Sequence, residues 1–302
     1  MIKVLANDGL DFNCKKQLED LGVDVLDFHY DNESLKKEIK NFDVIIVRSA
    51  TEVRKDIIDK AVGGKKLKLI IRGGVGIDNI DVDYARLKGI EVYNTPYASS
   101  VSVAEMVLAH IFCLAKFLNQ SNVTMREGAW NKKQYLGIEL LNKTLGIIGM
   151  GRIGKELALK AKALGMNVIY YDILGEIDKT YGEFKDFKYV LKNSKFLSIN
   201  VSGNKVIIGK DEFKIMRNDS FLINCSRGNV VDEQALLYAL ENKEILGAGL
   251  DVFSSEPIKN KKLLRCKNVS LSPHVAASTK EAQDKIGEEV ICIIKEKFDN
   301  TF

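Results

Sequence analysis

In the first hundred residues, short apolar runs rich in β-branched side chains alternate with segments whose apolar residues recur at helical spacing. The runs predict five strands, at residues 3–6, 23–28, 43–48, 67–72 and 91–94. Two of the intervening segments, residues 11–21 and 34–41, are typical of amphipathic helices. Strands that alternate with helices in this way predict a parallel sheet that is covered on both faces.

A longer helical pattern covers residues 100–126, with Ser102 and Glu105 at the spacing of a capping box near its start. Its apolar stripe consists of Val103, Val107, Ile111, Leu114 and Leu118. The alternation then resumes, with six predicted strands at residues 144–148, 167–172, 196–201, 220–224, 247–251 and 269–271. Six strands are expected of a complete dinucleotide-binding sheet. With a closing helix at residues 279–298, the pattern predicts two α/β lobes with a cleft between them.

Composition narrows the class of protein. The chain has 302 residues, of which 46% are hydrophobic and 28% charged, so an ordinary globular protein of two domains is expected. A net charge of +4 spread over scattered lysines argues against nucleic-acid binding and suits a small anionic substrate. The sequence shows neither a signal peptide nor a membrane span, which predicts a cytoplasmic protein. Five cysteines without CxxC spacing favour a reducing compartment, with neither disulfides nor a metal site.

A glycine-rich motif joins the first strand of the second half to a helix. Gly149, Gly151 and Gly154 form a G-x-G-x-x-G pattern between the strand at 144–148 and a helical segment at 155–164. Gly149 permits a tight turn, Gly151 lets the backbone approach a pyrophosphate, and Gly154 allows the helix to pack closely on the strand. The helix N-terminus offers free N–H groups to the phosphates. The alternative is a plain βαβ turn without a cofactor.

The cofactor predicted from this half of the chain is NAD. Asp172 ends the next strand, where a carboxylate accepts hydrogen bonds from the ribose hydroxyls of NAD and repels the 2′-phosphate of NADP. Further candidate contacts are Arg152 and Ile153 within the glycine motif, and Cys225 and Asp251 at later strand ends.

Three later strand ends carry the candidate catalytic residues Arg227, Glu256 and His274. An imidazole is suited to take the hydroxyl proton when hydride leaves a secondary alcohol, and a neighbouring carboxylate orients it. A guanidinium clamps a substrate carboxylate through two parallel hydrogen bonds. Each residue alone also has a structural interpretation: His274 as a structural histidine, Glu256 as a loop charge and Arg227 as part of a turn. Their combination after a dinucleotide loop favours catalysis. His29 and His110 are not accompanied by such a combination of residues and are interpreted as structural.

At these residues the chain resembles the D-isomer-specific 2-hydroxyacid dehydrogenases, and the likeness covers nearly its whole length. The matching runs are residues 46–51, 72–79, 94–96, 102–105, 149–154, 224–228, 250–253 and 273–283. The resemblance implies that His274 is the catalytic acid/base, that Glu256 is its partner, and that Arg227 anchors the carboxylate and carbonyl of the substrate.

The resemblance also implies a domain organisation. A flavodoxin-like, doubly wound substrate lobe is expected from residues 1–95 plus 279–302, and a Rossmann NAD-binding lobe from residues 96–278. Members of the family are commonly homodimers joined through their cofactor lobes. The chain stops soon after its closing helix, so we expect no carboxyl-terminal regulatory domain and no serine feedback through one.

The resemblance further implies a substrate. Residues 137–140 and 277–283 are similar to members of the family that oxidise 3-phosphoglycerate. By this resemblance, the backbone N–H groups of Gly74 and Val75 would bind the substrate carboxylate. Because this acid is anionic at both ends, its site needs cations beyond Arg227.

Candidate cations lie in the first lobe, where Arg48, followed by Ser49, ends one predicted strand and Arg72 ends another. Structural ion pairs are the alternative for both arginines. Glyoxylate, hydroxypyruvate or another D-2-hydroxy acid is the alternative substrate, and a non-catalytic NAD(H)-sensing protein is the alternative function.

The chain departs from the family pattern at three places. Residues 200–202 read Asn-Val-Ser where His-x-Pro is frequent, Gly73 replaces the usual alanine, and Ala276 replaces a common glycine. The first departure bears on contacts near the adenine and ribose, and Ala276 bears on the space beside the nicotinamide. None of the three removes a candidate catalytic group.

Overall fold

The computed structural model describes residues 1–64, 66–203 and 205–298. Its strands are β1 Lys3–Ala6, β2 Asp24–Asp27, β3 Val44–Val47, β4 Leu69–Arg72, β5 Glu91–Asn94, β6 Thr144–Ile148, β7 Asn167–Tyr171, β8 Glu183–Phe184, β9 Phe196–Ile199, β10 Phe221–Asn224, β11 Gly247–Leu250 and β12 Val269–Leu271. Its α-helices are α1 Phe12–Asp20, α2 Asn32–Glu38, α3 Lys55–Gly64, α4 Val82–Leu87, α5 Ser100–Ala115, α6 Leu118–Arg126, α7 Arg152–Ala163, α8 Phe187–Asn193, α9 Lys210–Ile215, α10 Glu233–Glu241, α11 Lys261–Arg265 and α12 Lys280–Lys297.

The chain divides into two compact units. Unit 1 comprises Met1–Ser99 and the segment that begins at Ser278, and unit 2 comprises Ser100–Ala277. The boundaries predicted from the sequence were 95/96 and 278/279. Residues 299–302, which the predicted substrate lobe includes, lie outside the described residues.

Unit 1 contains a five-stranded parallel sheet in the order β2-β1-β3-β4-β5, which is the flavodoxin-like order that the sequence analysis predicted. Its strands are short and mostly buried, since helices cover both faces of the sheet. The closing helix α12 belongs to this unit because Ile286, Val290 and Ile294 pack with Val4 and Val44 of the sheet. The C-terminal helix α12 therefore completes a hydrophobic core that is otherwise built by the N-terminal part of the chain.

Unit 2 contains a seven-stranded parallel sheet in the order β12-β11-β10-β9-β6-β7-β8. The prediction of a doubly wound Rossmann-type sheet is confirmed, but its count of six strands was wrong. The additional strand is β8, which pairs with β7 through only two residues. A strand of that length is too short to produce a periodic pattern in the sequence. The strand order reverses between β6 and β9, and ligands of such sheets bind at the carboxyl ends beside that point.

The prediction of one helix over residues 100–126 was also wrong. Two helices, α5 and α6, meet there at an angle of 65°. Phe117, between them, has a left-handed backbone with φ of 55°, which ends the first helix. Ser102 lies inside α5 and is buried, so the predicted capping box with Glu105 does not start a helix.

Among the described residues, no single helix is long and apolar enough to span a membrane. Within the described part of the chain, only α5 and α6 taken together across their 65° bend reach that length and composition, and α5 is largely buried within unit 2. All five cysteines are free thiols.

Candidate active site

The glycine motif forms the turn between β6 and α7. Gly149 has φ of 91°, and a Cβ atom there would lie 2.5 Å from the carbonyl oxygen of Asn200. A Cβ at Gly154 would overlap the carbonyl oxygen of Gly149, so this glycine permits the close packing of α7 on the turn. Gly151 differs, because a Cβ there would meet nothing within 4 Å. Its lack of a side chain therefore leaves open space at the N-terminus of α7, where phosphate groups are bound in such folds.

Asp172 lies directly after β7 and contacts this turn. Its Oδ2 accepts a hydrogen bond of 2.7 Å from the Met150 N–H, and its Oδ1 accepts one of 2.9 Å from the Leu174 N–H. These two bonds hold the carboxylate beside the glycine turn. A carboxylate in this position suits the ribose hydroxyls of NAD.

The other candidate cofactor contacts lie at the start of α7 or directly after strands of the same sheet. Arg152 and Ile153 are the first two residues of α7, and Arg152 is exposed beside Gly151. Cys225 follows β10 and is buried, and burial raises the pKa of its thiol well above the usual value, with the nearby Asp251 carboxylate adding to that effect. Cys225 therefore stays a neutral thiol.

His274 and Glu256 form a hydrogen-bonded pair. The ring Nδ1 of His274 lies 2.6 Å from Oε2 of Glu256, and the other oxygen, Oε1, accepts a bond of 3.1 Å from the Phe253 N–H. Partial burial raises the pKa of Glu256, but the bond from His274, the bond from Phe253 and the charges of His274 and Arg227 outweigh it and hold that pKa below its usual value. The carboxylate is therefore ionised at neutral pH and can only accept hydrogen bonds.

This pairing decides the tautomer of His274. Since an ionised carboxylate only accepts, Nδ1 of the imidazole carries the proton that is donated to Glu256. In the neutral ring, Nε2 is then the free base. The side chain of His274 is 35% exposed.

Arg227 is the third predicted catalytic residue, in the loop after β10. Its Nη1 donates to the carbonyl of Ser226 at 2.8 Å, and its own carbonyl accepts from Asn224 Nδ2 at 2.9 Å. A Cβ at the next residue, Gly228, would overlap the backbone of Phe253, so this loop lies against the loop that leads to Glu256. Unit 2 thus brings together the three groups that the sequence places at separate strand ends.

The loop that carries His274 is held by a buried carboxylate. His274 has a left-handed backbone with φ of 54°, and its N–H donates to the Asp251 carbonyl at 2.8 Å. The carboxylate of Asp251, which is 0% exposed, accepts the N–H groups of Val275 and Ala276 at 2.9 Å each. It also accepts the hydroxyl of Ser272 at 2.6 Å. Because a buried carboxylate is costly without such partners, these bonds tie the loop firmly to β11.

In unit 1, the loop after β3 carries Arg48 and the exposed Ser49. Asp8 holds this loop, since its Oδ2 accepts the N–H groups of Arg48 at 2.6 Å and Thr51 at 3.0 Å. Asn79 Nδ2 donates to the carbonyls of Arg48 and Thr51 at 2.7 Å. Burial lowers the pKa of Arg48, and the charge of Asp8 offsets only part of that effect. An anion bound beside Arg48 would therefore stabilise its guanidinium.

The loop after β4 carries the other predicted substrate contacts. The guanidinium of Arg72 folds over this loop, with Nη1 3.4 Å from the Gly73 carbonyl, and a Cβ at Gly74 would overlap it. Asn94 Nδ2 donates to the Val75 carbonyl at 2.6 Å and fixes the far side of the loop. The N–H of Gly74 donates to the Arg72 carbonyl at 2.8 Å. Use of that N–H by a substrate carboxylate thus requires a change in the turn.

Asp8, Asn79 and Ser272 were not predicted from the sequence as part of these sites. Asp8 and Asn79 bond the backbone of the loop that carries Arg48, whereas the hydroxyl of Ser272 donates to the carboxylate of Asp251. For Asp8, the available signal was its place as the second residue after the predicted strand at 3–6. For Asn79 and Ser272, the partners are known only once the loops are placed beside each other.

Two parallel α/β sheets, one with a glycine turn at its switch point, place the chain among dinucleotide-binding proteins of the α/β class. The model of the D-isomer-specific 2-hydroxyacid dehydrogenase NAD-binding domain matches residues 108–276, more than half of the chain. The chain belongs to this family, and the prediction of NAD as its cofactor is confirmed by the match.

Similar proteins carry three different names. The chain is 41% identical over 302 residues to a D-3-phosphoglycerate dehydrogenase of Methanocaldococcus jannaschii, with 98% of this chain and 57% of that protein covered. It is 40% identical to a hydroxypyruvate reductase of Thermotoga maritima, with 96% of both chains covered. A crystal structure of an Aquifex aeolicus D-lactate dehydrogenase with NAD and lactic acid aligns with a TM-score of 0.86 at 30% identity, covering 99% of this chain and 96% of that one. The chain thus spans little more than half the length of the first relative and nearly all of the other two.

Asp172 provides a test of cofactor choice. In Asp172→Asn the carboxylate that repels a 2′-phosphate is lost, while an oxygen that accepts from Met150 is kept. We expect the ratio of kcat/KM for NADH to that for NADPH to fall at least about tenfold, equivalent to about 1.4 kcal/mol. The matched control is Glu176→Gln, an exposed acid in the same loop, which leaves the ratio unchanged. An unchanged ratio in Asp172→Asn would remove this residue from cofactor selection.

Proposed function

We propose that the protein oxidises D-3-phosphoglycerate to 3-phosphohydroxypyruvate with NAD, the entry to serine synthesis. The observation that carries the chemistry is the His274–Glu256 pair, which leaves one imidazole nitrogen as a base. The observation that favours this substrate is the 41% identity to a protein named D-3-phosphoglycerate dehydrogenase. The cations in the loops after β3 and β4 add to it.

The residues of unit 2 suit hydride transfer from a secondary alcohol. The glycine turn, Asp172 and the N-terminus of α7 fit a dinucleotide, which, when bound, accepts the hydride from C2 of the substrate. His274 Nε2 takes the proton of the C2 hydroxyl, so that the C–O bond becomes a carbonyl. The ionised Glu256 stabilises the imidazolium that results.

Arg227 and the loops of unit 1 hold the anionic groups of the substrate in this proposal. Arg227 binds the carboxylate next to the reacting carbon and keeps that carbon oriented for transfer. The backbone around Gly74 and Val75 binds the same carboxylate, and Arg48 and Arg72 bind the remaining negative charge. The lowered pKa of Arg48 supports this role, since a bound phosphate would offset the cost of its burial.

The nearest alternative is the same chemistry on a smaller acid, hydroxypyruvate or glyoxylate. The observation in its favour is the 40% identity to a hydroxypyruvate reductase over 96% of both chains. A substrate panel decides between them, with NADH oxidation followed by absorbance on phosphohydroxypyruvate, hydroxypyruvate, glyoxylate and pyruvate. The highest kcat/KM on phosphohydroxypyruvate supports the proposal, and the highest on an unphosphorylated acid contradicts it. NADH binding without reduction of any acid would indicate a non-catalytic NAD(H)-sensing protein.

The two arginines of unit 1 test the phosphate directly. In Arg48→Ala and Arg72→Ala, loss of a charged hydrogen bond worth about 1.5–3 kcal/mol raises KM for phosphohydroxypyruvate by roughly 10–150-fold. Glyoxylate has no phosphate, so its KM rises less. Arg86→Ala, at an exposed arginine of α4, is the matched control and leaves both values unchanged. Equal effects on both acids in the first two variants would show that neither arginine reads the phosphate.

The homodimer and the cytoplasmic location expected from the sequence are also proposals. Analytical ultracentrifugation over a range of protein concentrations tests the dimer. A single species at the monomer mass of 33.8 kDa would contradict it.

A further inference from the structure

A continuous chain of hydrogen bonds runs through unit 2 between α6 and the catalytic loop. Asn119 Nδ2 donates to Ser270 Oγ at 2.8 Å, and Ser270 Oγ lies 2.8 Å from Nδ1 of His110. On the other side of that ring, Nε2 lies 3.0 Å from Ser272 Oγ, which bonds Asp251 Oδ1 at 2.6 Å. The chain therefore connects α6, β12, the imidazole on α5 and the residue that follows β11.

The direction of each bond follows from the carboxylate at the end of the chain. Asp251 as a carboxylate can only accept, so the hydroxyl proton of Ser272 points to it. The oxygen of Ser272 must then accept from His110, which places a proton on Nε2 of that ring.

The other half of the chain follows from that proton. A neutral ring with its proton on Nε2 has Nδ1 as an acceptor, so the hydroxyl of Ser270 donates to it. The oxygen of Ser270 still accepts from Asn119, as observed. One tautomer of His110 thus satisfies every member of the chain.

The burial and packing of His110 are consistent with a neutral imidazole that fits closely against β11. The residue is 3% exposed, and burial lowers its imidazole pKa, with Asp251 opposing only part of that shift. The ring packs on Gly249 of β11, where an added Cβ would lie 2.6 Å from Cβ and 3.0 Å from Cγ of the histidine. The absence of a side chain at Gly249 is therefore what admits the imidazole.

The far end of the chain reaches the backbone around His274. The same Asp251 carboxylate that accepts from Ser272 also accepts the N–H groups of Val275 and Ala276. His274 has a left-handed backbone, which costs energy for a residue with a side chain and needs support from its neighbours. The hydrogen bond from His110 orients Ser272, and Ser272 in turn helps to hold Asp251 in the position that fixes this backbone.

We infer that His110 is a positioning residue for His274, acting through Ser272 and Asp251 rather than by contact with substrate or cofactor. The inference rests on the proposed role of His274 in the proposed function. It also changes the interpretation of His110 as a purely structural histidine. Its physical basis is that a general base that is displaced even slightly from its hydrogen-bonding position beside the substrate loses much of its effect on turnover.

Two measurements on the purified protein test the chain without any substrate. The ¹⁵N chemical shifts of the His110 ring at neutral pH are expected to show the neutral tautomer with its proton on Nε2. A proton on Nδ1, or an imidazolium, would overturn the assignment.

Hydrogen exchange of the Val275 and Ala276 amides is expected to be at least about tenfold faster in His110→Leu than in His110→Gln, equivalent to about 1.4 kcal/mol. Equal exchange in the two variants would show that the chain does not reach the catalytic loop.

Kinetics then separate positioning from packing. Glutamine keeps a donor near the place of Nε2 whereas leucine does not, so we expect kcat to fall on the order of tenfold in His110→Leu and to recover in His110→Gln, with KM for NADH unchanged in both. Ser272→Ala should match His110→Leu. Ser194→Ala, at a buried serine whose hydroxyl bonds the Val190 carbonyl, is the control for loss of a buried hydroxyl and keeps full turnover.

An equal kcat in the leucine and glutamine variants would overturn the inference even if His274 is catalytic. If His274 itself proves dispensable for turnover, the proposed function fails instead, while the tautomer and exchange results still report on the chain.

Discussion

Replacement of His274 by asparagine is expected to lower kcat by about 10²–10⁴, the usual contribution of a general acid or base. Asparagine is the appropriate substitute because His274 has φ of 54°, and asparagine tolerates this left-handed conformation better than alanine does. The side-chain amide also keeps a donor toward Glu256, so the loop is retained while Nε2 is lost. Single-turnover oxidation of NADH in the presence of phosphohydroxypyruvate measures the loss at the chemical step.

The control for this prediction is cofactor binding. His274 is not part of the glycine turn, so the Kd for NADH, measured by fluorescence, should stay within a factor of about two. Glu256→Gln should reduce kcat less than His274→Asn does, because it weakens the orientation of the imidazole without removing it. Wild-type turnover in His274→Asn would exclude His274 from the mechanism and with it the proposed function.

Replacement of Gly151 by valine is expected to weaken NADH binding at least about tenfold, or about 1.4 kcal/mol, with little change in stability. The backbone of Gly151 has φ of −71° and ψ of −160°, which any residue can adopt, and the space around its missing Cβ is open for 4 Å. The Cβ of the added side chain therefore meets no other atom of the described protein. It fills the space through which a pyrophosphate approaches the N-terminus of α7.

Gly154 provides the contrasting variant three residues later. A Cβ there would overlap the Gly149 carbonyl oxygen, so Gly154→Ala should lower the free energy of unfolding by about 1–3 kcal/mol through overpacking. Urea denaturation and NADH titration of both variants separate the two effects. If Gly151→Val binds NADH as tightly as the unmodified protein, the glycine turn is not the phosphate site.

Much of the architecture follows from local patterns of apolar residues. Every strand of four or five residues was predicted. The signal was clearest where a strand is buried on both faces and reads as an unbroken apolar run, as β3 does. The glycine motif was equally visible, since its geometry requires residue types at fixed spacing. The two-residue strand β8 was missed because it is too short to show a period. The bend between α5 and α6 was missed because Phe117, whose conformation ends α5, carries no signal of a turn.

The candidate catalytic residues and the pairing of Glu256 with His274 were predicted, but the geometry of that pair was not. Chemistry and position at strand ends indicated Arg227, Glu256 and His274, whereas the tautomer of His274 follows only from the observed bond to Glu256. The partners of His110 lie 160 and 162 positions away along the chain. Periodicity in a sequence reports which face of an element is buried, and it is a local property. Which polar groups meet depends on the order of strands in the sheet and on the register between them, which only the packed tertiary structure decides.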